Sequence, residues 1–331
     1  MDQNDKKVGW GILGNATIAR VCVVPAIAKS RNGYVAAIGS RSPERARALT
    51  DQHGGKPLVG YEAVIQDPHV DAVYIPLPNH LHKAWAIAAL NAGKDVLVEK
   101  PFAMNAAEAA TMVDTAAKNG RYIMEAFMYR FHPRTQKIKK MVDQGDLGKI
   151  GTIRTAFTFP VERDGSNERL FLPEMGGGSL WDVGSYGVSV ARFMLGQEPE
   201  SIAAAAEIGE SGVDINFVGV LKFAGGALAV VESGFLSHLQ QTYAIMGDKG
   251  AIELPHDAFV PWEKDAVFTF RQNNAEEGER IMTAGADEYQ LMVEYFADVV
   301  LGDIERPIEP TDSVRQMEVM DQLKERIKAE A

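Results

Sequence analysis

Hydrophobic positions in the first 128 residues fall into short apolar runs separated by amphipathic stretches. The runs VGWGIL (8–13), YVAAIGS (34–40), DAVYIPL (71–77), DVLVEK (95–100) and YIMEAFM (122–128) predict strands. Between them, ATIARVCVVPAIAKS (16–30), PERARALTDQHG (43–54), HLHKAWAIAALNAG (80–93) and NAAEAATMVDTAAKNG (105–120) predict helices. Pro25 inside the first predicts a kink, because proline lacks an N–H and its ring crowds the preceding turn. Pro43 is placed for a first helical turn, and Gly93 and Gly120 for helix ends. Strands alternating with helices predict βαβ units and a parallel, doubly wound sheet.

After Ile138 the pattern changes. KIGTIRTAFTF, SIAAAAEI, VDINFVGVLKF, ALAVVESGFL, QTYAIMG and GAIEL follow closely, with little helix between them. They predict a large, open, mostly antiparallel sheet in an α+β domain. A helix is expected from about Gly178 to Leu195, and two amphipathic helices end the chain, the second with Thr311 as a candidate N-cap.

The first strand runs into two overlapping glycine registers. Gly9, Gly11 and Gly14 spell a literal G-x-G-x-x-G, but that register leaves only Lys7 and Val8 for a strand, against an average of about 5–6 residues. The register starting at Gly14 keeps residues 7–13 as strand and starts the helix near Ala16. The phosphate turn is then Gly14-Asn15-Ala16, followed by Thr17 and Ile18, with Gly9 and Gly11 inside the strand. Alanine is the smallest departure from glycine where backbone must approach a pyrophosphate, and the helix N-terminus still offers N–H groups. NAD-selective folds end the second strand on an acid. Here that end reads Ser40-Arg41, with Arg45 a turn later, a hydroxyl and guanidinium groups suited to a 2′-phosphate. NADP is the expected cofactor, with NAD the less favoured option; a solvated helix start with stray arginines is the ordinary alternative.

The 331 residues suggest two domains at roughly 100–200 residues each. We expect residues 1–127 to form a dinucleotide-binding Rossmann domain. Residues 128–331 are expected to form a substrate-binding and oligomerisation domain, with the C-terminal helices packing back on the first. A net charge of −11 argues against nucleic acid, which calls for clustered Lys and Arg, and against an anionic membrane surface. No apolar run approaches the ~20 residues that span a bilayer, and MDQNDKK carries no secretory signal. Cys22 is the single cysteine, which fits a reducing compartment. A soluble cytoplasmic protein is the expectation.

Two stretches could carry chemistry. VEKPF (98–102) puts Lys100 at the carboxyl end of a strand, where doubly wound folds bind ligands, and Lys100-Pro101 admits a cis bond. In GGGSLWDVGSYGV (176–188), Asp182 and Tyr186 are four apart and share a helical face. A nearby ammonium favours phenolate, so Lys100 with Tyr186 is a plausible acid–base pair for alcohol oxidation or carbonyl reduction, with Asp182 orienting either group or the substrate. From spacing alone, a core tyrosine is the commoner reading of Tyr186. His80 and His82 are two apart and cannot form the i, i+4 metal pair. No other cluster suggests a metal, and none is expected.

Together these stretches resemble the glucose–fructose oxidoreductase / inositol dehydrogenase (Gfo/Idh/MocA) family over nearly the whole chain. The resemblance rests on Gly14-Asn15-Ala16, GSRSPERA, DAVYIPLPNHLHKAWAIAALNAGKDVLVEKPFA, MEAFMYRFHP and GGGSLWDVGSYGV. It implies that Lys100, following Glu99, is the family's catalytic lysine, Asp182 a substrate-side acid and Tyr186 the proton-transferring residue. Many members carry His at that last position. Tyrosine looks like the branch of glucose–fructose oxidoreductase, dimeric dihydrodiol dehydrogenase and NADP-linked D-xylose dehydrogenase. The family's cofactor path implies roles for Leu77, Pro78, Asn79, His82 and Glu99, and Arg130 is expected to reach substrate or cofactor. The resemblance further implies a carbohydrate or diol substrate and a homodimer or tetramer through the C-terminal sheet. A non-catalytic NAD(P)-sensing regulator and a keto-sugar reductase stand as alternatives.

Overall fold

The computed structural model describes residues 6–165, 167–305 and 308–330. The chain divides into two compact units, residues 1–128 with 287–314, and residues 129–286 with 315–331.

The first unit holds β1 (Val8–Leu13), α1 (Val24–Lys29), β2 (Gly33–Ser40), α2 (Pro43–His53), β3 (Lys56–Val59), α3 (Glu62–Gln66), β4 (Ala72–Ile75), α4 (His82–Asn91), β5 (Asp95–Val98), α5 (Ala106–Asn119) and β6 (Ile123–Glu125). Six parallel strands lie in the order β3-β2-β1-β4-β5-β6. The order reverses between β1 and β4, so the carboxyl edge there is the ligand-binding position of a doubly wound sheet. Ser42 caps α2 and Asn105 caps α5, each accepting a first-turn N–H through its side chain. Gly120 ends α5 in the left-handed region.

The helix after β1 differs from a kinked α-helix. Residues 19–23 form a wide π turn, with Val24 N–H reaching Ala19 O, and α1 follows with Pro25 in its first turn. Such an insertion absorbs a proline that an unbroken α-helix would not. β3 and α3 were not legible in the sequence, and the strand expected over 122–128 shortens to β6 because a single tight turn takes residues 128–131.

β1 is buried along its whole length. A Cβ on Gly9 would lie 2.0 Å from His69 O, and one on Gly11 2.5 Å from Val64 Cγ1. Gly9 is also tied on both sides to Asp71, whose Oδ2 accepts its N–H at 2.8 Å and whose N–H reaches its carbonyl at 2.7 Å. The first two glycines of the literal motif therefore serve close packing inside the strand, and only Gly14 makes the turn.

The second unit holds α6 (Pro133–Asp143), β7 (Ile150–Thr158), α7 (Ser185–Leu195), β8 (Pro199–Ile208), β9 (Asp214–Phe223), β10 (Leu228–Gly234), β11 (Gln240–Gly247), β12 (Gly250–Leu254), β13 (Ala266–Gln272) and β14 (Glu279–Thr283). The helix α8 (Glu288–Leu301) belongs to the first unit, and most of α9 (Thr311–Glu330) to the second. Thr311 is the first residue of α9, one place inside the cap position expected for it. Eight strands run in the order β14-β13-β12-β11-β7-β10-β9-β8, all pairs antiparallel except β7 with β10. α7 covers one face at Gly187, where a Cβ would fall 2.4 Å from Thr155 Oγ1 and 2.7 Å from Val231 Cγ1. α9 packs on β9, with Leu323 Cδ2 3.0 Å from the Cβ position of Gly219. Among the described residues, no helix is long and apolar enough to cross a membrane.

Replacing Gly9 with alanine forces a methyl group onto a backbone carbonyl and should lower the unfolding free energy by about 1–3 kcal/mol in urea titrations. A change below about 0.5 kcal/mol, the range of neutral surface substitutions, would show that β1 does not need this close approach.

Candidate functional site

In the first unit, every candidate residue sits at the carboxyl edge of the sheet or just beyond it. Gly14 follows β1 at φ +109°, and its N–H donates to Gly39 O at 2.8 Å. A Cβ there would meet Leu77 Cδ2 at 3.2 Å. Arg20 N–H reaches back to Ala16 O at 3.1 Å; the N–H groups that precede it are those a helix cannot pair internally. Thr17 is exposed and Asn15, Ala16 and Ile18 are half-buried, with Thr17 Oγ1 accepting from Arg20 at 3.2 Å. Asn15 Nδ2 donates to Arg45 O at 2.9 Å, tying the glycine turn to the start of α2. Ser40 is buried at the end of β2 and its Oγ accepts from Ser42 N–H at 3.1 Å, which leaves its own proton to donate. Arg41 and Arg45 are exposed. A left-handed glycine, a helix N-terminus, a hydroxyl and two exposed guanidinium side chains, with no acid at the strand end, fit a dinucleotide carrying a 2′-phosphate.

Leu77, Pro78 and Asn79 follow β4, and Glu99 and Lys100 follow β5. The Lys100–Pro101 peptide is cis. Glu99 is gripped from β4, where Tyr74 O–H donates to its Oε1 at 2.6 Å, and its Oε2 accepts Lys100 N–H at 3.3 Å. Burial, with the Glu99 charge beside it, holds the Tyr74 phenol well above its usual range, so it remains a donor. From β6, Glu125 Oε1 accepts Phe102 N–H at 3.0 Å. His82 is fully buried, with Nε2 2.7 Å from Leu77 O and Nδ1 3.0 Å from Pro101 O. Both partners are acceptors, so the neutral ring donates to one of them at a time. Burial brings its pKa down to about 4 and keeps it neutral. His82 thus joins the turns after β4 and β5, a scaffold role that the sequence did not show. Cys22 is also buried, its thiol pushed up to about 11 by desolvation, which leaves it unreactive.

In the second unit, the helix expected over 178–195 opens as a wide π turn over residues 180–184 before α7. The i, i+4 relation between Asp182 and Tyr186 therefore crosses a junction between two helical forms. Asp182 is buried and its Oδ1 accepts from Arg169 Nη1 at 3.1 Å. Arg169, in the loop between β7 and α7, is a partner that spacing alone could not identify. Tyr186 is 5% exposed, within an aromatic cluster at centroid distances of 5.4 Å to Phe157, 5.2 Å to Phe259 and 6.1 Å to Tyr129. Arg130 is buried and donates to Ser189 Oγ at 2.8 Å, with its guanidinium 5.4 Å over Phe193, which ties the 128–131 turn to α7. His132 caps α6 by accepting Arg134 N–H at 3.1 Å, and burial holds its pKa near 4. Among the described residues, no group of three or more His, Cys, Asp or Glu side chains is placed to hold a metal ion.

Comparison with known proteins matches residues 8–127 to the oxidoreductase family with an NAD-binding Rossmann fold, and residues 135–253 to the GFO/IDH/MocA C-terminal domain. D-xylose 1-dehydrogenase (NADP(+)) 2 of Haloferax volcanii is 37% identical over 96% of both chains. Trans-1,2-dihydrobenzene-1,2-diol dehydrogenase of Xenopus tropicalis is 32% identical over 76% of each. The crystal structure of KijD10, a 3-ketoreductase from Actinomadura kijaniata in complex with NADP and TDP-benzene, superposes with a TM-score of 0.91 at 29% identity, covering 97% of this chain and 98% of that one. With both halves matched and a parallel sheet followed by a mostly antiparallel one, this chain belongs to the Gfo/Idh/MocA family of oxidoreductases.

Proposed function

We propose that the protein is an NADP-dependent oxidoreductase that moves hydride between the nicotinamide and a carbinol or carbonyl carbon of a sugar or related cyclic polyol. The observation that carries this reading is the carboxyl edge of the parallel sheet. It gathers the Gly14 turn, the Ser40-Arg41 strand end, Leu77–Asn79 and the Glu99-Lys100 turn on successive strands. The similarity to a D-xylose dehydrogenase and a dihydrodiol dehydrogenase over most of the chain supports the substrate class.

In this reading the backbone of Gly14, Asn15, Ala16, Thr17 and Ile18 receives the pyrophosphate, and Ser40, Arg41 and Arg45 receive the 2′-phosphate. Leu77, Pro78, Asn79, His82 and Glu99 shape the path toward the nicotinamide, and Arg130 supports the substrate side. NADP, when bound, supplies the hydride acceptor, or the donor in the reverse direction. Tyr186 takes or gives the hydroxyl proton, Lys100 holds the substrate oxygen with its positive charge, and Asp182 orients the substrate. Lysine as the direct proton carrier is the variant of the same scheme. Residues 1–127 serve the cofactor and 128–331 the substrate and a second subunit, in a cytoplasmic homodimer or tetramer built through the eight-stranded sheet. Val218 and Leu228 on that sheet are about two-fifths exposed in the single chain, which supports a covered face.

Similarity to a 3-ketoreductase makes keto-sugar reduction the second reading. For a sugar nucleotide, the loop 161–178 would need cations for a diphosphate. Here Arg163 pairs with Glu168 at 2.6 Å and Arg169 with Asp182, which favours an uncharged sugar or diol.

Lys100→Met and Tyr186→Phe should each lower kcat by roughly 100-fold or more, the scale of a lost acid–base group, while NADPH binding by fluorescence titration is unchanged. Turnover at the wild-type rate in either would remove the role assignment. Removing charge at Arg41 and Arg45 together should weaken NADPH binding roughly 10–100-fold, as expected for lost charge-assisted hydrogen bonds, and leave NADH binding unaffected. Equal losses for both cofactors would contradict the 2′-phosphate assignment. A screen of aldoses, diols and keto-sugars with NADP(H) and NAD(H) separates the two readings and distinguishes both from a protein that only senses the nucleotide.

A further inference from the structure

We propose that Asp214 is a positioning residue for Asp182 and Tyr186, fixing the wide turn from which both are presented. This rests on the catalytic reading above. Asp214 opens β9 and is buried. Its Oδ2 accepts two hydrogen bonds from the start of the turn, from Ser179 Oγ at 2.8 Å and from Leu180 N–H at 2.7 Å. An ionised carboxylate accepts only, so the Ser179 hydroxyl donates to it, and Ser233 on β10, 3.0 Å away, donates in turn to Ser179.

The turn is shaped to receive this contact. Gly178 has φ +109°, and a Cβ there would lie 2.3 Å from Asp214 Oδ1. At the other end of the turn, a Cβ on Gly184 would fall 2.9 Å from Ser233 Oγ. One carboxylate therefore bonds the start of residues 180–184, and a serine from the adjacent strand packs closely against their end. Asp182 lies inside that span and Tyr186 two residues beyond it. The charge also suits the N-terminal end of a helix, where N–H groups point outward unpaired. Lys324 of α9, its ammonium 4.6 Å from the Trp181 ring centroid, places a positive charge on the same side. Burial pushes the Asp214 carboxyl up to about 6, while its bonds from Leu180 N–H and Ser179 and the charge of Lys324 favour the anion. Spacing along the chain gives no hint of this, since Asp214 stands 32 and 28 residues beyond the two groups it would position.

The test is steady-state kinetics on Asp214→Asn and Ser179→Ala, each made alone and in the Tyr186→Phe background, with circular dichroism and NADPH titration as controls. Asp214→Asn should lower kcat roughly 100-fold, the scale of an ångström's misplacement of a reacting group, with NADPH affinity unchanged. In the Tyr186→Phe background it should cost less than it does alone, because the phenol's share of the misplacement is already lost and only that of Asp182 remains. Ser179→Ala should give a smaller fall of the same kind. A folded Asp214→Asn protein with wild-type kcat overturns the proposal, as does a loss that multiplies in full with that of Tyr186→Phe. If Asp214→Asn fails to fold, Ser179→Ala decides in the same assay: reduced kcat with unchanged NADPH binding supports the proposal, and wild-type kcat overturns it. Wild-type turnover in Tyr186→Phe would instead remove the role given to Tyr186 in the proposed function, an outcome distinct from a wild-type Asp214→Asn beside an inactive Tyr186→Phe.

Discussion

The turn that follows β5 is fixed by side chains from three directions, and the chemistry proposed for the first unit depends on it. Tyr74 on β4 holds the Glu99 carboxylate, Glu125 on β6 holds Phe102 N–H, and the buried His82 ring sits between Leu77 O and Pro101 O. Each of these groups is polar and largely withdrawn from water, so each would cost stability if its partner moved. Together they tie the turn to β4, β6 and the start of α4. Lys100 is carried on that frame, and its backbone N–H is itself bonded to Glu99. A rigid support is what a group acting by position and charge requires.

The same logic recurs in the second unit in a different form. There the support is glycine-rich, and its precision comes from closeness. Gly177, Gly178, Gly184 and Gly187 each occupy a position where a Cβ would come within 3.0 Å of another atom. The string GGGSLWDVGSYG is a motif because the helix it forms must lie against β7, β9 and β10 with almost no gap. Its polar residues then work outward from that seat, with Asp182 paired to Arg169 and Tyr186 set among aromatic rings.

Much of the first unit was legible in the sequence because its signals are local. Strand length chose the Gly14 register over the literal one, and the φ of Gly14 together with the burial of β1 bears out that choice. The parallel sheet followed from alternating strands and helices, and the second sheet from closely spaced apolar runs. What escaped was either short or non-local. β3 has only four residues, three of them exposed or nearly so, which leaves no apolar run to read. β13 and β14 lie among acidic and small residues in a segment with only partial alternation. The wide turns at 19–23 and 180–184 look like ordinary helix because their composition is helical; the difference lies in the hydrogen bonds. In the sites, residue types at strand ends were readable. The partners that hold them were not, because Tyr74–Glu99, Asp214–Ser179 and Arg169–Asp182 are pairings that only the fold creates.

The central claim is that this chain moves hydride from a sugar-like carbinol to NADP. It is tested most directly by incubating the protein with NADP and a panel of aldoses and cyclic diols deuterated at the carbinol carbon, then weighing the recovered cofactor. The account predicts NADPH carrying one deuterium, formed in step with oxidation of at least one member of the panel. Cofactor that stays oxidised with every member, or is reduced without acquiring the label, would contradict it.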